Sequence, residues 1–123
     1  MERDPLTEKI IGCAIEVHRN LGPGLLESTY ENCLAHELSI QQINFQKQLS
    51  MPVNYKGIKL DCGYRIDLFV DKQVIIELKS VSKIAGVHEA QILTYMRLAN
   101  IKTGLLINFN VKRLVDGVKR YKI

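Results

Sequence analysis

A chain of 123 residues has room for one layered core and no second, so residues 1–123 read as a single domain. A hydrophobic fraction of 46% is that of an ordinary globule, and no apolar run approaches the ~20 residues that cross a bilayer. Met1-Glu2-Arg3-Asp4 lacks the apolar stretch of a secretory leader, which leads to a cytoplasmic expectation and no membrane partner; the net charge of +4 is compatible with a polyanion without requiring one.

Asp4-Pro5 is a helix start, a capping residue followed by the one imino acid tolerated in a first turn. Ile10, Ile11, Ala14, Val17 and Leu21 then recur at helical spacing, with an end expected near Asn20. Gly22-Pro23-Gly24 cannot continue a helix, and Leu26, Tyr30, Cys33, Leu34 and Leu38 mark a second one reaching about Ser39. Ile43 to Tyr55 loosens into a first strand interrupted at Met51-Pro52, with a turn at Tyr55-Lys56-Gly57. Ile58–Val70 and Gln73–Lys79 read as the second and third strands. Gly86–Ala99 reads as a helix whose apolar stripe runs through Val87, Ala90, Leu93 or Thr94, and Leu98. Thr103–Phe109 is a fourth, apolar strand, and Val118–Ile123 has the pattern of a short fifth.

Cys13, Cys33 and Cys62 are odd in number and widely spaced among apolar neighbours, which argues for reduced core thiols and against a disulfide framework. His18, His36 and His88 have no ligand spacing and read as helix-surface residues, so zinc is not expected.

The informative feature is charge inside apolar strands. Asp67 interrupts Tyr64–Val70, and Glu77 and Lys79 interrupt Val74–Lys79. An ionised carboxylate in a buried strand must be paired, hydrated at the strand end, or bound to a metal. Residues two apart share a face, so Glu77 and Lys79 point together. Asp67 meets Glu77 only in one register: a three-residue loop, Asp71-Lys72-Gln73, sets the two carboxylates opposite each other, whereas a two-residue loop sends them to different faces. Two carboxylates about 4 Å apart repel by roughly 4 kcal/mol at an effective dielectric near 20. A divalent, oxygen-preferring cation offsets that, with Asp67, Glu77 and the Leu78 backbone carbonyl as ligands, which suits Mg²⁺ or Mn²⁺. Lys79 is then placed to position or deprotonate a water. Gln91 and Tyr95 are one helical turn apart and share a face, extended by Leu98 toward the sheet, with Gln91 directed at Lys79. Glu27, in the first turn of the second helix, is explained by the helix dipole alone or serves as a third acid above the sheet.

Gly24-Leu25-Leu26-Glu27-Ser28-Thr29-Tyr30 resembles the pattern of the GxxExxY protein family. Asp67, Glu77-Leu78-Lys79 and Gln91-Ile92-Leu93-Thr94-Tyr95 resemble, in order, the Asp, Glu-x-Lys and Gln-x-x-x-Tyr elements of the PD-(D/E)XK nuclease superfamily. The resemblance implies an α/β, restriction-endonuclease-like αβββαβ core, a mixed central sheet of about four strands between helices, with an extra N-terminal helix. It implies a Mg²⁺- or Mn²⁺-dependent nuclease acting on DNA or RNA, with Asp67 and Glu77 as metal ligands and Lys79 activating water. Glu27 is implied as a further metal or water ligand, Gln91 as a contact to Lys79 or substrate, and Tyr95 as a brace or phosphate contact. Ile66 stands where the superfamily often has Pro. Arg65, Lys83, Lys102 and the C-terminal basic residues are candidate backbone contacts. Two other readings compete: a noncatalytic module of the same fold that binds nucleic acid or a protein, and an assembly domain whose acids are dispersed surface salt bridges. A homodimer is one way to widen so small a binding surface.

Overall fold

The computed structural model describes residues 4–123; Met1–Arg3, part of the stretch read for a leader, lie outside the described residues. Helix α1 (Pro5–Leu21) starts where expected, with Asp4 Oδ1 accepting the backbone N–H groups of Leu6 at 3.1 Å and Thr7 at 3.3 Å. It ends at Gly22, whose φ of 68° favours glycine. After the glycine-containing loop comes α2 (Glu27–Ile40).

Strands β1 (Phe45–Ser50), β4 (Arg65–Val70), β5 (Val74–Lys79), β6 (Thr103–Asn108) and β7 (Val118–Lys122) form one sheet in the order β1-β4-β5-β6-β7. All neighbours are antiparallel except β5 and β6, which are parallel and joined by α3 (Gly86–Ala99). A parallel pair needs such a crossover. The sheet has five strands, one more than the expected four, because the C-terminal Val118–Lys122 segment does pair. The long second strand anticipated from Ile58 to Val70 is two elements. Asp61-Cys62-Gly63 breaks it, and β3 (Ile58–Leu60) pairs with β2 (Val53–Tyr55) as a separate hairpin.

The sheet is a sandwich filling. Val74, Ile76 and Leu78 of β5 and Leu105 and Ile107 of β6 pack under α1 and α2, while Ile75 and Leu106 face α3. In α3 the buried residues facing the sheet are Ile92, Tyr95 and Met96; of the expected stripe Leu93 packs partly against this cluster, whereas Val87, at 71% exposure, Ala90 and Leu98, at 40%, do not. The cause lies across the interface at Gly104, where an added Cβ would sit 2.6 Å from Met96 Sδ and 3.1 Å from Ile92 Cδ1. That glycine admits the bulky Ile92 and Met96 side of the helix and so sets its rotation. No described helix is long and apolar enough to cross a membrane.

The cysteine and histidine expectations need correction. Cys13 is buried, but Cys33 is only half-buried and Cys62 is exposed in the break between β3 and β4. His18 is a core residue at 8% exposure, its Nε2 hydrogen-bonded to the Val111 carbonyl at 2.9 Å and its ring beside Phe109. His36 is exposed, while half-buried His88 accepts the Ala85 N–H through Nδ1 at 3.0 Å.

Candidate active site

The β4–β5 turn is Asp71-Lys72-Gln73, with Asp71 and Lys72 both left-handed and Val70 paired with Val74. This is the three-residue loop that aligns Asp67 with Glu77, and the ladder runs through Leu68 opposite Ile76 before it opens. Beyond that point side chains replace the backbone partners. Asp67 Oδ2 accepts the Leu78 N–H at 2.8 Å, and Glu77 Oε1 accepts the Asp67 N–H at 3.3 Å.

The opening coincides with a kink. Leu68 and Val70 pack under α1 and α2, yet Ile66 packs under α3, so the strand's alternation slips at Asp67. On the other side the β1–β4 ladder pairs Lys47 with Leu68 and Leu49 with Ile66 but skips the intervening residues, where Gln48 has a φ of 52°. Gln48 Nε2 bridges two acids, donating to Asp67 Oδ1 at 3.3 Å and to Glu31 Oε1 at 2.5 Å. Glu31 and Gln48 were not anticipated as site residues. The i+4 spacing of Glu27 and Glu31 on one helix face is a signal that could have found Glu31; Gln48 has none in the sequence.

Burial controls the electrostatics. Glu77 is 3% exposed, and desolvation, followed by the neighbouring Asp67, pushes its carboxyl up to about 8; the Asp67 N–H and the Lys79 ammonium oppose that shift. Desolvation also raises the Asp67 carboxyl, against the Leu78 N–H, Gln48 and Lys79. Glu31 is raised for the same first reason. Lys79, half-buried and two residues beyond Glu77, therefore lies close enough to favour ionisation of both acids.

Glu27 is exposed, and its Oε2 accepts the Ser80 N–H at 3.4 Å, next to Lys79. Tyr30 Oη donates to the Gly22 carbonyl at 2.6 Å and accepts the Leu25 N–H at 3.1 Å; the Leu25 carbonyl in turn accepts Ser80 Oγ at 2.7 Å. The buried Tyr30 ring stacks on Phe109 with centroids 4.3 Å apart. The Gly-x-x-Glu-x-x-Tyr stretch is thus the end of a loop and the first turn of α2, tied together by Tyr30 so that Glu27 is carried to the end of β5. Gln91, expected to reach Lys79, instead donates through Nε2 to Tyr95 Oη at 3.0 Å. Tyr95 is buried, and its hydroxyl is raised by desolvation and then by Glu77, which places it beside the acids. Leu98 does not extend this face onto the sheet.

Asp67, Glu77 and Lys79 therefore converge, and the reading of the acids as dispersed salt bridges fails. The donor set fits a hard cation: two carboxylates crowded by burial and a backbone carbonyl. Lys79 C=O accepts the Phe109 N–H from the β6 side at 2.9 Å, so strand alternation turns the Leu78 C=O toward β4, where its N–H already meets Asp67. Among the described residues no three His, Cys, Asp or Glu side chains gather into a metal cage, while the charge of Glu27 reaches Asp67 and adds to the rise of its carboxyl. Of the candidate backbone contacts, Arg65 pairs with Asp61 at 3.4 Å, Lys119 with Glu89 at 3.2 Å and Lys122 with Asp4 at 3.4 Å.

Comparison with known families agrees with this geometry. Residues 4–121 match the PD-(D/E)XK nuclease superfamily, and the chain belongs to it. No curated protein and no solved structure matches the chain significantly.

Proposed function

We propose that this protein is a metal-dependent nuclease hydrolysing phosphodiester bonds of DNA or RNA. The observation that carries the reading is the meeting of Asp67 and Glu77 at the open end of the β4–β5 ladder, with Lys79 two residues on. The Gly24–Tyr30 pattern further supports placing the chain with the GxxExxY proteins.

Asp67, Glu77 and the Leu78 carbonyl would hold Mg²⁺ or Mn²⁺, and such an ion supplies Lewis-acid stabilisation of phosphate charge and a more acidic water. The chain's own residues do the rest. Proton loss from Glu77 completes the anionic site, because a neutral carboxyl is a poor ligand. The Lys79 ammonium attracts a phosphate oxygen and stabilises an attacking hydroxide by charge. Glu27, exposed beside Ser80, is placed to orient water at the rim, while the Gln91–Tyr95 pair walls the other side and offers a hydroxyl to phosphate.

The test is cleavage of labelled single-stranded and duplex DNA and RNA with Mg²⁺ or Mn²⁺. Wild type cleaves at least one of these, whereas folded Asp67→Ala and Glu77→Ala proteins do not. Salt-sensitive binding without cleavage, unchanged in Asp67→Ala, would replace this reading with the noncatalytic module.

A further inference from the structure

Beside the acids, on the α3 side, lies a groove of about 510 Å³ between that helix and the β2–β3 hairpin. Its apolar wall is Val53 of the hairpin with Val87, Ala90 and Leu98 of α3. These helix positions are the apolar stripe that would ordinarily seek a core, and here it is left open, because Gly104 turns the Ile92 and Met96 side to the sheet. Tyr64 stands at the groove with 47% of its surface exposed, its ring 6.1 Å from that of Tyr95 and edge-on to it. Polar groups from successive turns of the helix, His88, Gln91 and Thr94, line the same groove.

We propose that this groove seats an unpaired nucleobase next to the phosphate at Asp67 and Glu77, which makes single-stranded nucleic acid the substrate class; the inference rests on the phosphodiester reading above. Three observations select this occupant. The groove is continuous with the site, since Tyr95 lines it, bonds Gln91 and feels the charges of Glu77 and Asp67. Nothing in its lining repels a polyanion: no lining residue is a carboxylate, and the hairpin that supplies Val53 carries Lys56 and Lys59 and no acid from Val53 to Leu60. Its chemistry is that of base recognition, a half-exposed aromatic face for stacking and side-chain amide, hydroxyl and imidazole groups for base edges. Bases in a duplex are stacked and paired, so a recess of this kind admits only a base already free of a partner.

The experiment measures binding of fluorescein-labelled oligothymidylate and oligouridylate, about 12 nucleotides long, by anisotropy in EDTA. The same measurement uses an abasic sugar–phosphate strand and a duplex of equal length. Wild type is expected to bind at least one single strand in preference to the duplex. Tyr64→Ala, at an exposed position that preserves the fold by circular dichroism, should weaken that binding about tenfold, while Tyr64→Phe retains it. The abasic strand should bind wild type as weakly as the normal strand binds Tyr64→Ala. No detectable binding, equal binding of the abasic strand, or no loss in Tyr64→Ala overturns the groove assignment, even when metal-dependent cleavage persists. Base-dependent binding by a wild type that cleaves nothing leaves the groove and removes the nuclease reading. Conversion of a dimer to a monomer by Tyr64→Ala, seen by sedimentation equilibrium, would assign the groove to a second copy and overturn the proposal.

Discussion

Replacing Glu77 with Gln should make the cation-free protein more stable at neutral pH, the opposite of what loss of a needed acid suggests. Burial first, then Asp67, raises the Glu77 carboxyl from an ordinary 4.5 to about 8, so the folded chain holds a proton there that the unfolded chain releases. A raised carboxyl costs nothing below pH 4.5, and the cost grows as pH climbs toward 8. At pH 7 the interval above the ordinary value is worth about 3 kcal/mol at roughly 1.4 kcal/mol per pH decade. An amide escapes this cost, since its oxygen can still accept the Asp67 N–H and its nitrogen can donate to the Asp67 carboxylate. Urea unfolding in EDTA at pH 5, 6, 7 and 8 measures the effect. Wild type should lose stability across this range relative to Glu77→Gln, with a gap of about 2 to 3 kcal/mol at pH 7. Adding Mg²⁺ should then stabilise wild type at pH 8 and leave Glu77→Gln unchanged. Parallel pH profiles for the two proteins, or a carboxyl carbon of Glu77 titrating near 4.5 by NMR, would refute the reasoning.

Asp67→Ala should lower metal-dependent cleavage at least about 100-fold, because changing even the outer partners of metal ligands costs 10- to 100-fold; steady-state kinetics checks this. Tyr30→Phe keeps the stack on Phe109 but releases Gly22 and Leu25, so about 1 to 2 kcal/mol of stability and part of the activity should go together. Gly117→Ala should destabilise by about 2 to 3 kcal/mol, because its Cβ would collide with the Asn108 carbonyl, whereas Gly104→Ala should cost nearer 1 kcal/mol since flexible Met96 Sδ is its closest obstacle. Thermal melts of the two variants rank them.

Much of the site was legible because strand chemistry is periodic. A three-residue turn after Val70 is enough to oppose Asp67 and Glu77, and the apolar run through Val74–Leu78 identifies a central strand before any coordinates. The misreadings arise where tertiary contacts override local pattern. Ile58 and Leu60 look like the start of β4 but belong to a hairpin, since Asp61-Cys62-Gly63 supports a bend that apolar periodicity cannot register. The rotation of α3 depends on a missing side chain at Gly104, a residue in a different element. Gln48 reads as an ordinary polar strand residue; its role follows from a left-handed backbone that brings its amide between Asp67 and Glu31. Gln91 satisfies its amide on the Tyr95 hydroxyl one turn away, a contact within the shared face that the i+4 spacing allows and that a reading aimed at Lys79 overlooks.

Phe109 links two pieces of machinery that lie 53 residues apart in the hydrogen bond between Glu27 and Ser80. Its N–H holds the Lys79 carbonyl and its ring carries Tyr30, which clasps the loop in front of Glu27. The gap between amine and outer acid is consequently gauged from the interior by the thickness of one aromatic stack. A smaller apolar side chain at that position would leave a cavity under the stack and loosen the gauge, so a wholly interior substitution would reach turnover through the same lost packing that lowers stability.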